Sequence, residues 1–317
     1  MAANKVQLQA GLSMLEFFDR YGTQEKCEEA VRQWRWPQGF ACPACGGVEY
    51  SQFRRVKRLY FQCSACRYQC SLISGTIFES SKLALAKWFV AMHLITQAKN
   101  GVSALELMRH VGVSWPTAWL MKHKLLQVMF EREESRQLTG RVEIDDAYLG
   151  GEHHGGKPGR GSPNKTPFVA AVQTTESAAP VLICLAVCPF TKDAIEAFAA
   201  KSLAAPATLV SDGLGCFTAV QGMGILHEPH VTGGGAASVQ HPQFMAVNTV
   251  LGNLKTAFAG TYHSLGYEKY AHRYLAQVQY LFNRRFDLRV ILTSLVRAAC
   301  ATDPRPLQAL RAAEHSS

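Results

Sequence analysis

An α/β domain built on a mixed sheet, preceded by a small metal-binding ribbon and an α-helical region, is the architecture the sequence predicts. Three observations carry it. Two Cys-x-x-Cys pairs lie between residues 42 and 66, helical periodicity fills residues 80–138, and strand-like segments begin at Gly140. The composition suits a globular chain, with 48% hydrophobic and 18% charged residues. Apolar stretches such as Val181–Val187 are far too short to span a bilayer. Charges at Lys5, Glu16, Asp19, Arg20 and Glu25 interrupt anything like a secretory leader, so no membrane and a cytoplasmic location are expected.

Five segments follow in order. Residues 1–36 read as helix, with Leu15, Phe17 and Phe18, then Ala30, Val31 and Trp34, at helical spacing. Residues 37–76 form the ribbon. There Cys42-Pro-Ala-Cys45 and Cys63-Ser-Ala-Cys66 stand seventeen residues apart. Each Cys-x-x-Cys turn presents two thiolates to one ion, and two turns close a tetrahedron, so a single structural Zn²⁺ is expected. With the shell full, Cys70 is not a fifth ligand. Cys27, Cys184, Cys188, Cys216 and Cys300 sit in apolar contexts and read as small buried hydrophobes.

Charge is uneven. The net charge is +9, but residues 1–140 hold 18 Lys/Arg against 11 Asp/Glu, while 141–317 hold 15 against 13. A basic front half beside a nearly neutral back half points to a polyanion-binding module joined to something else; double-stranded DNA as that polyanion is what the resemblance named below implies. Arg54, Arg55, Lys57 and Arg58, interleaved with Phe53, Tyr60 and Phe61, could lay a cationic hairpin along phosphates. Residues 77–139 are a helix-turn-helix-like region. Ala104–Val111 ends at Gly112, Ser114 caps a second helix over Trp115–Gln127, and Lys122 and Lys124 on that helix are candidate DNA contacts.

Residues 140–290 form the α/β domain. Strands are expected over Arg141–Tyr148, Pro167–Thr174, Val181–Val187 and Ala207–Ser211, with a shorter one near Ile225–Val231. Helices are expected over Thr191–Leu203, about Asn248–Phe258, and Glu268–Phe282; residues 291–317 are a helical tail. The segment Val142-Glu143-Ile144-Asp145-Asp146 puts acids at one strand end, and Val210-Ser211-Asp212-Gly213 does so at another. Converging carboxylates repel unless a cation lies between them, so Mg²⁺ or Mn²⁺ is the expected partner, with two ions suited to phosphoryl chemistry. Asn248 and Lys255, seven residues apart, share a helix face. His153, His154, His227 and His230 show no convincing ligand spacing. The Gly-rich loop 150–165, with Lys157, Arg160 and Lys165, is expected to order on DNA, and Arg284 and Arg285 either contact phosphate or complement a helix dipole.

The stretches EIDDAYLGG, VSDG, VNTVLGNLKTAFAGTYH and YLFNRRF, together with WPQGFACPAC and GTIFESSKLALAKWF, resemble bacterial insertion-sequence transposases that join a zinc ribbon to a DDE-type catalytic domain. The resemblance runs from about residue 15 to 290. It implies an RNase H-like fold, recognition of terminal inverted repeats, and metal-dependent DNA strand cleavage and strand transfer into target DNA. It implies Asp145, Asp212 and Asn248 at the metal site, Lys255 in DNA positioning, and a homodimer or larger assembly holding two transposon ends. Asn248 departs from the commonest acidic pattern: its amide lends an oxygen but no charge, so Asp146 or Glu143 would have to help. Asn253 is the weaker rival for the third position, since two residues from Lys255 puts it on another face. The alternatives are a catalytically silent zinc-ribbon DNA-binding regulator derived from a transposase, and a different RNase H-like nuclease.

Overall fold

The structure is a computed structural model that describes residues 6, 8–150, 165–231, 241–262 and 266–312. Two compact units separate: one takes residues up to 98, 102–128 and 286–312, the other 99–101 and 129–285. Residues 291–312, read as part of a C-terminal tail, thus belong to the first unit, together with 286–290, read as the end of the α/β domain.

In the first unit, α1 (Met14–Tyr21) starts at a capping box in which Ser13 and Glu16 satisfy each other's backbone N–H groups. Helix α2 (Gln24–Arg35) is capped by Thr23. The ribbon follows as an antiparallel sheet, β1 (Tyr50–Arg55), β2 (Arg58–Cys63) and β3 (Gln69–Ser71), in that order. Trp36, Phe40 and Tyr50 pack around the fully buried Phe61, with ring centroids 4.8–5.6 Å apart. Without a larger core of its own, the ribbon has this aromatic cluster and its thiols to hold it. Helices α3 (Leu85–Gln97) and α4 (Ala104–Val111) follow, the latter opened by a Ser103–Glu106 capping box and closed by Gly112 at φ 63°. Helix α5 (Trp115–Glu133) is longer than its expected Gln127 end.

The second unit is a five-stranded sheet of order β6-β5-β4-β7-β8. Its strands are β4 (Leu138–Leu149), β5 (Thr166–Thr174), β6 (Pro180–Val187), β7 (Leu203–Ser211) and β8 (Leu226–Pro229). Pairings β4–β5 and β5–β6 are antiparallel; β4–β7 and β7–β8 are parallel. Each expected strand is present within a few residues. Period-two alternation buries Val142, Ile144, Val169, Ala171 and Leu209 on one face, against Ile195, Phe198 and Ala199 of α6 (Lys192–Ser202) and Phe217 of a 3-10 helix (Gly215–Met223). Helix α7 (Met245–Thr261) packs on β4 and β5, and α8 (Tyr267–Phe282) on β5 and β6. A mixed five-stranded sheet flanked by helices, with three parallel strands from its centre to one edge, is the RNase H-like arrangement. In the first unit α9 (Ile291–Ala301) packs against α2 and α3, and α10 (Leu307–Arg311) follows. Among the described residues no helix is long and apolar enough to cross a membrane.

Candidate functional site

The ribbon brings four thiols together. The sulfurs of Cys42, Cys45, Cys63 and Cys66 all lie within 4.8 Å of one another, with Cys42–Cys66 and Cys45–Cys63 each at 3.6 Å. Tetrahedral zinc with thiolate bonds of about 2.3 Å spaces its sulfurs about 3.8 Å apart, so this donor set fits structural zinc. Both turns are built alike. The Cys42 N–H donates to Gly47 O and the Gly46 N–H to Cys42 O; the Cys63 N–H donates to Tyr68 O and the Arg67 N–H to Cys63 O. The residue after each pair takes a left-handed conformation, Gly46 at φ 74° and Arg67 at φ 61°. The backbone N–H of Cys66, with that of Ala65, draws the Cys63 thiol down to about 7. The other three thiols, outweighing the Tyr68 N–H, drive the Cys66 thiol up to about 12, so four thiolates this close call for a cation between them. Cys70 is buried outside this group of four.

The basic hairpin is less free than its sequence suggests. Arg54 pairs with buried Glu28 of α2 at 2.6 Å, and Arg58 donates to Ser81 O at 2.5 Å. Arg55 lies over the stacked rings of Phe53 and Tyr60 and donates to Gln69, while Lys57 is exposed. Lys122 and Lys124 require a correction. They were expected as DNA contacts, but Met121–Met129 of α5 is buried without a break, so neither side chain is presented to a partner. Lys124 Nζ donates to Ile77 O at 2.9 Å, and burial pushes the Lys122 ammonium down to about 7 despite Glu106 nearby. A helix packed on every side leaves no exposed face for cations, whatever charges its sequence carries, and Lys122-His123-Lys124 alone does not reveal that burial.

The acidic site forms where β4 and β7 part. Their parallel pairing ends at Glu143 and Val210; β4 continues beside β5 alone, and β7 turns at Asp212–Gly213. In open α/β sheets this carboxyl end of parallel strands is where ligands bind. Carboxylate oxygens of Asp145, Asp146 and Asp212 lie within 4.8 Å of one another, all three side chains half-buried. Asp145 Oδ1 accepts the Asp146 N–H at 2.9 Å, and Asp212 Oδ1 accepts the Leu214 N–H at 3.0 Å. Gly213, at φ 86°, makes the sharp turn that an L side chain would strain. Burial, then the charges of Asp146 and Asp212, push the Asp145 carboxyl up to about 7, a repulsion that Lys255 partly offsets. Three carboxylates this close, one of them resisting ionisation, are a donor set for hard divalent cations.

Glu143 is not among these donors. It is fully buried, pairs with Arg141 at 2.6 Å, and accepts the Val247 N–H at 3.0 Å. Arg141 in turn donates to Gln243 O and Oε1 at 3.0 and 2.7 Å. The pair thereby clamps the first turn of α7 to β4, one residue before Asn248, and Lys255 lies two turns on, exposed. Its signal was the alternation of β4, since Glu143 and Asp145 share a face.

Behind Asp212, the Ser211 hydroxyl meets His227 Nε2 at 2.8 Å and accepts the Gly213 N–H, so His227 braces the turn. Among the described residues, the four cysteines and the three aspartates are the clusters able to hold a metal. Arg284 and Arg285 have structural partners. Arg284 pairs with buried Glu133 at 2.5 Å and stacks on Tyr280, and Arg285 donates to the carbonyls of Pro180 and Val181. Gln279 accepts the Leu185 N–H, and Asn283 accepts the Ile183 N–H and donates to Ile183 O. The YLFNRRF segment and its neighbour Gln279 therefore cover the outer edge of β6, an edge that would otherwise template aggregation. Lys157, Arg160, His153 and His154 lie outside the described residues.

Comparison with known proteins matches the two regions that carry these clusters. Residues 137–283 match the ISXO2-like transposase domain, and residues 22–69 match the transposase zinc-ribbon domain. A Halobacterium salinarum protein named "Uncharacterized protein in transposable element ISH50" is 28% identical over 130 residues, 40% of this chain. The match spans 42% of that relative's own length. A four-thiol ribbon and an RNase H-like sheet carrying three clustered aspartates, each within residues matched to its transposase domain, make this chain a member of the insertion-sequence transposase family.

Proposed function

We propose that the chain is a metal-dependent DNA transposase that binds the terminal inverted repeats of its element, cleaves a strand and transfers the freed 3′-hydroxyl to target DNA. The observation that carries this reading is the convergence of Asp145, Asp146 and Asp212 just beyond the point where two parallel strands part, beside the helix bearing Asn248 and Lys255. Asp145, Asp146 and Asp212 would hold Mg²⁺ or Mn²⁺, with Asn248 contributing its amide oxygen. Bound there, such ions acidify an attacking water or hydroxyl and stabilise the leaving oxygen. Asp146 supplies the third charge that Asn248 lacks. The exposed Lys255 ammonium, close enough to act on Asp145, holds a phosphate of the scissile strand in line. The ribbon and the helical region supply positioning on the repeat. Two chains act together, because two transposon ends must be joined in one event.

The neutral Asn248 favours a second reading, a silent DNA-binding regulator. Cleavage and joining on a labelled duplex carrying the element's ends separates the two. Wild type with Mg²⁺ or Mn²⁺ yields metal-dependent products, and Asp145→Ala and Asp212→Ala abolish them. Asn248→Ala weakens turnover, while Asn248→Asp raises divalent affinity several-fold. Specific binding by wild type with no product in either metal establishes the regulator instead.

A further inference from the structure

Resting on the reading that this chain binds duplex DNA, we infer that Val56, at the tip of the β1–β2 hairpin, is an apolar wedge for the DNA minor groove. Two residues, Val56 and Lys57, connect Arg55 to its cross-strand partner Arg58. Val56 has φ 58° and Lys57 has no positive φ, which defines a tight turn whose first position favours glycine. Among the described residues four non-glycine positions have positive φ, Val56, Arg67, Ser80 and Ala178, and of these only Val56 is β-branched, the side-chain class that tolerates this region worst.

The side chain gains nothing within the fold for that strain, since Val56 is 94% exposed, the highest value among the large exposed hydrophobics of the described residues. Folding alone favours glycine or asparagine here. The surroundings are those of a nucleic-acid probe. Arg54 and Arg58 are tied down by Glu28 and Ser81, which stiffens the hairpin base. Arg55, on the Phe53–Tyr60 stack, and exposed Lys57 flank the valine. Minor-groove proteins combine these two features, an aliphatic side chain pressed against a base step and cations neutralising the phosphates on either side. A strained, solvent-facing residue is where structure is held for function.

The test uses the full-length, zinc-loaded protein and a fluorescent duplex carrying the element's ends, reading affinity by anisotropy and bending by energy transfer between end labels. Val56→Gly is expected to melt no lower than wild type, yet to bind roughly tenfold more weakly and to lose induced bending. Val56→Leu, keeping the apolar tip, is expected to retain affinity and bend. The double variant Arg55→Ala/Lys57→Ala is expected to lower the slope of log affinity against log salt by about two. Wild-type affinity and bend in Val56→Gly would overturn the wedge while leaving DNA binding intact. Loss of both in Val56→Gly that is equalled in Val56→Leu overturns it as well, since an apolar tip would then not suffice. Absence of any wild-type binding fails the underlying reading and the wedge together.

Discussion

The two clusters able to hold metal are assembled in opposite ways. The ribbon collects four thiols within 25 residues of chain, in two turns that repeat the same backbone pattern. The acidic site draws Asp145 and Asp212 from strands separated by a whole antiparallel meander and a helix, and sets them beside a third element from still later in the chain. A local site carries its ligand geometry in its spacing. A distributed site needs the sheet first, and its geometry is inherited from strand register. Removing metal should therefore damage the two regions unequally.

The largest effect belongs to the ribbon. Cys63→Ala or strong chelation is expected to release one zinc per chain and unfold residues 37–76, because structural zinc supplies on the order of 10 kcal/mol to such small modules. Zinc stoichiometry by elemental analysis and protease sensitivity of the ribbon read it out. A ribbon that stays protected without zinc would erase the contrast, as would unfolding of the sheet on removal of Mg²⁺.

Next comes the clamp behind the acidic site. Glu143→Ala leaves Arg141 without its carboxylate and the Val247 N–H without its acceptor. Breaking a buried pair this way costs about 3–5 kcal/mol, or roughly 10 °C in melting temperature for a unit of this size. Glu143→Gln, which keeps an acceptor, should lose less. Equal melting of Glu143→Ala and wild type would show that α7 is seated by apolar contacts alone.

The smallest effect is the pH dependence of the metal-free acidic site. The native state keeps the Asp145 proton up to about pH 7, whereas the unfolded carboxyl releases it near its ordinary 3.8. Native stability is accordingly lost as pH rises between those values, by at most about 4 kcal/mol, and is level above them. Asp145→Asn should flatten that slope, and Mn²⁺ should raise the melting temperature more at pH 8 than at pH 5. Thermal melts in chelator and in Mn²⁺ across that range check it; a metal shift that is the same at both pH values would detach Asp145 from metal binding.

Legibility followed the same division between local and distributed. The four cysteines, the strands of the α/β domain and Asp145 with Asp212 could be read directly, because short-range spacing and alternation record them. Lys122 and Lys124 were misread because a cation in a sequence carries no label of burial; the neighbours that surround α5 come from elsewhere. Arg284 and Arg285 were open between phosphate and dipole for the same reason, their partners Glu133 and the β6 edge being about 100 or more residues distant.

By itself, then, the sequence determined the chemistry available: four thiolates at zinc spacing, acids on one strand and just after another, and caps such as Ser13–Glu16 and Ser103–Glu106 that need only the next turn of chain. Tertiary structure alone decided which charges face outward and which acids meet. It brought Asp146 in beside Asp145 and Asp212, and turned Glu143 away to hold a helix. Both outcomes depend on where β4 loses its pairing with β7, and strand register is a property of several segments packed together rather than of any one of them.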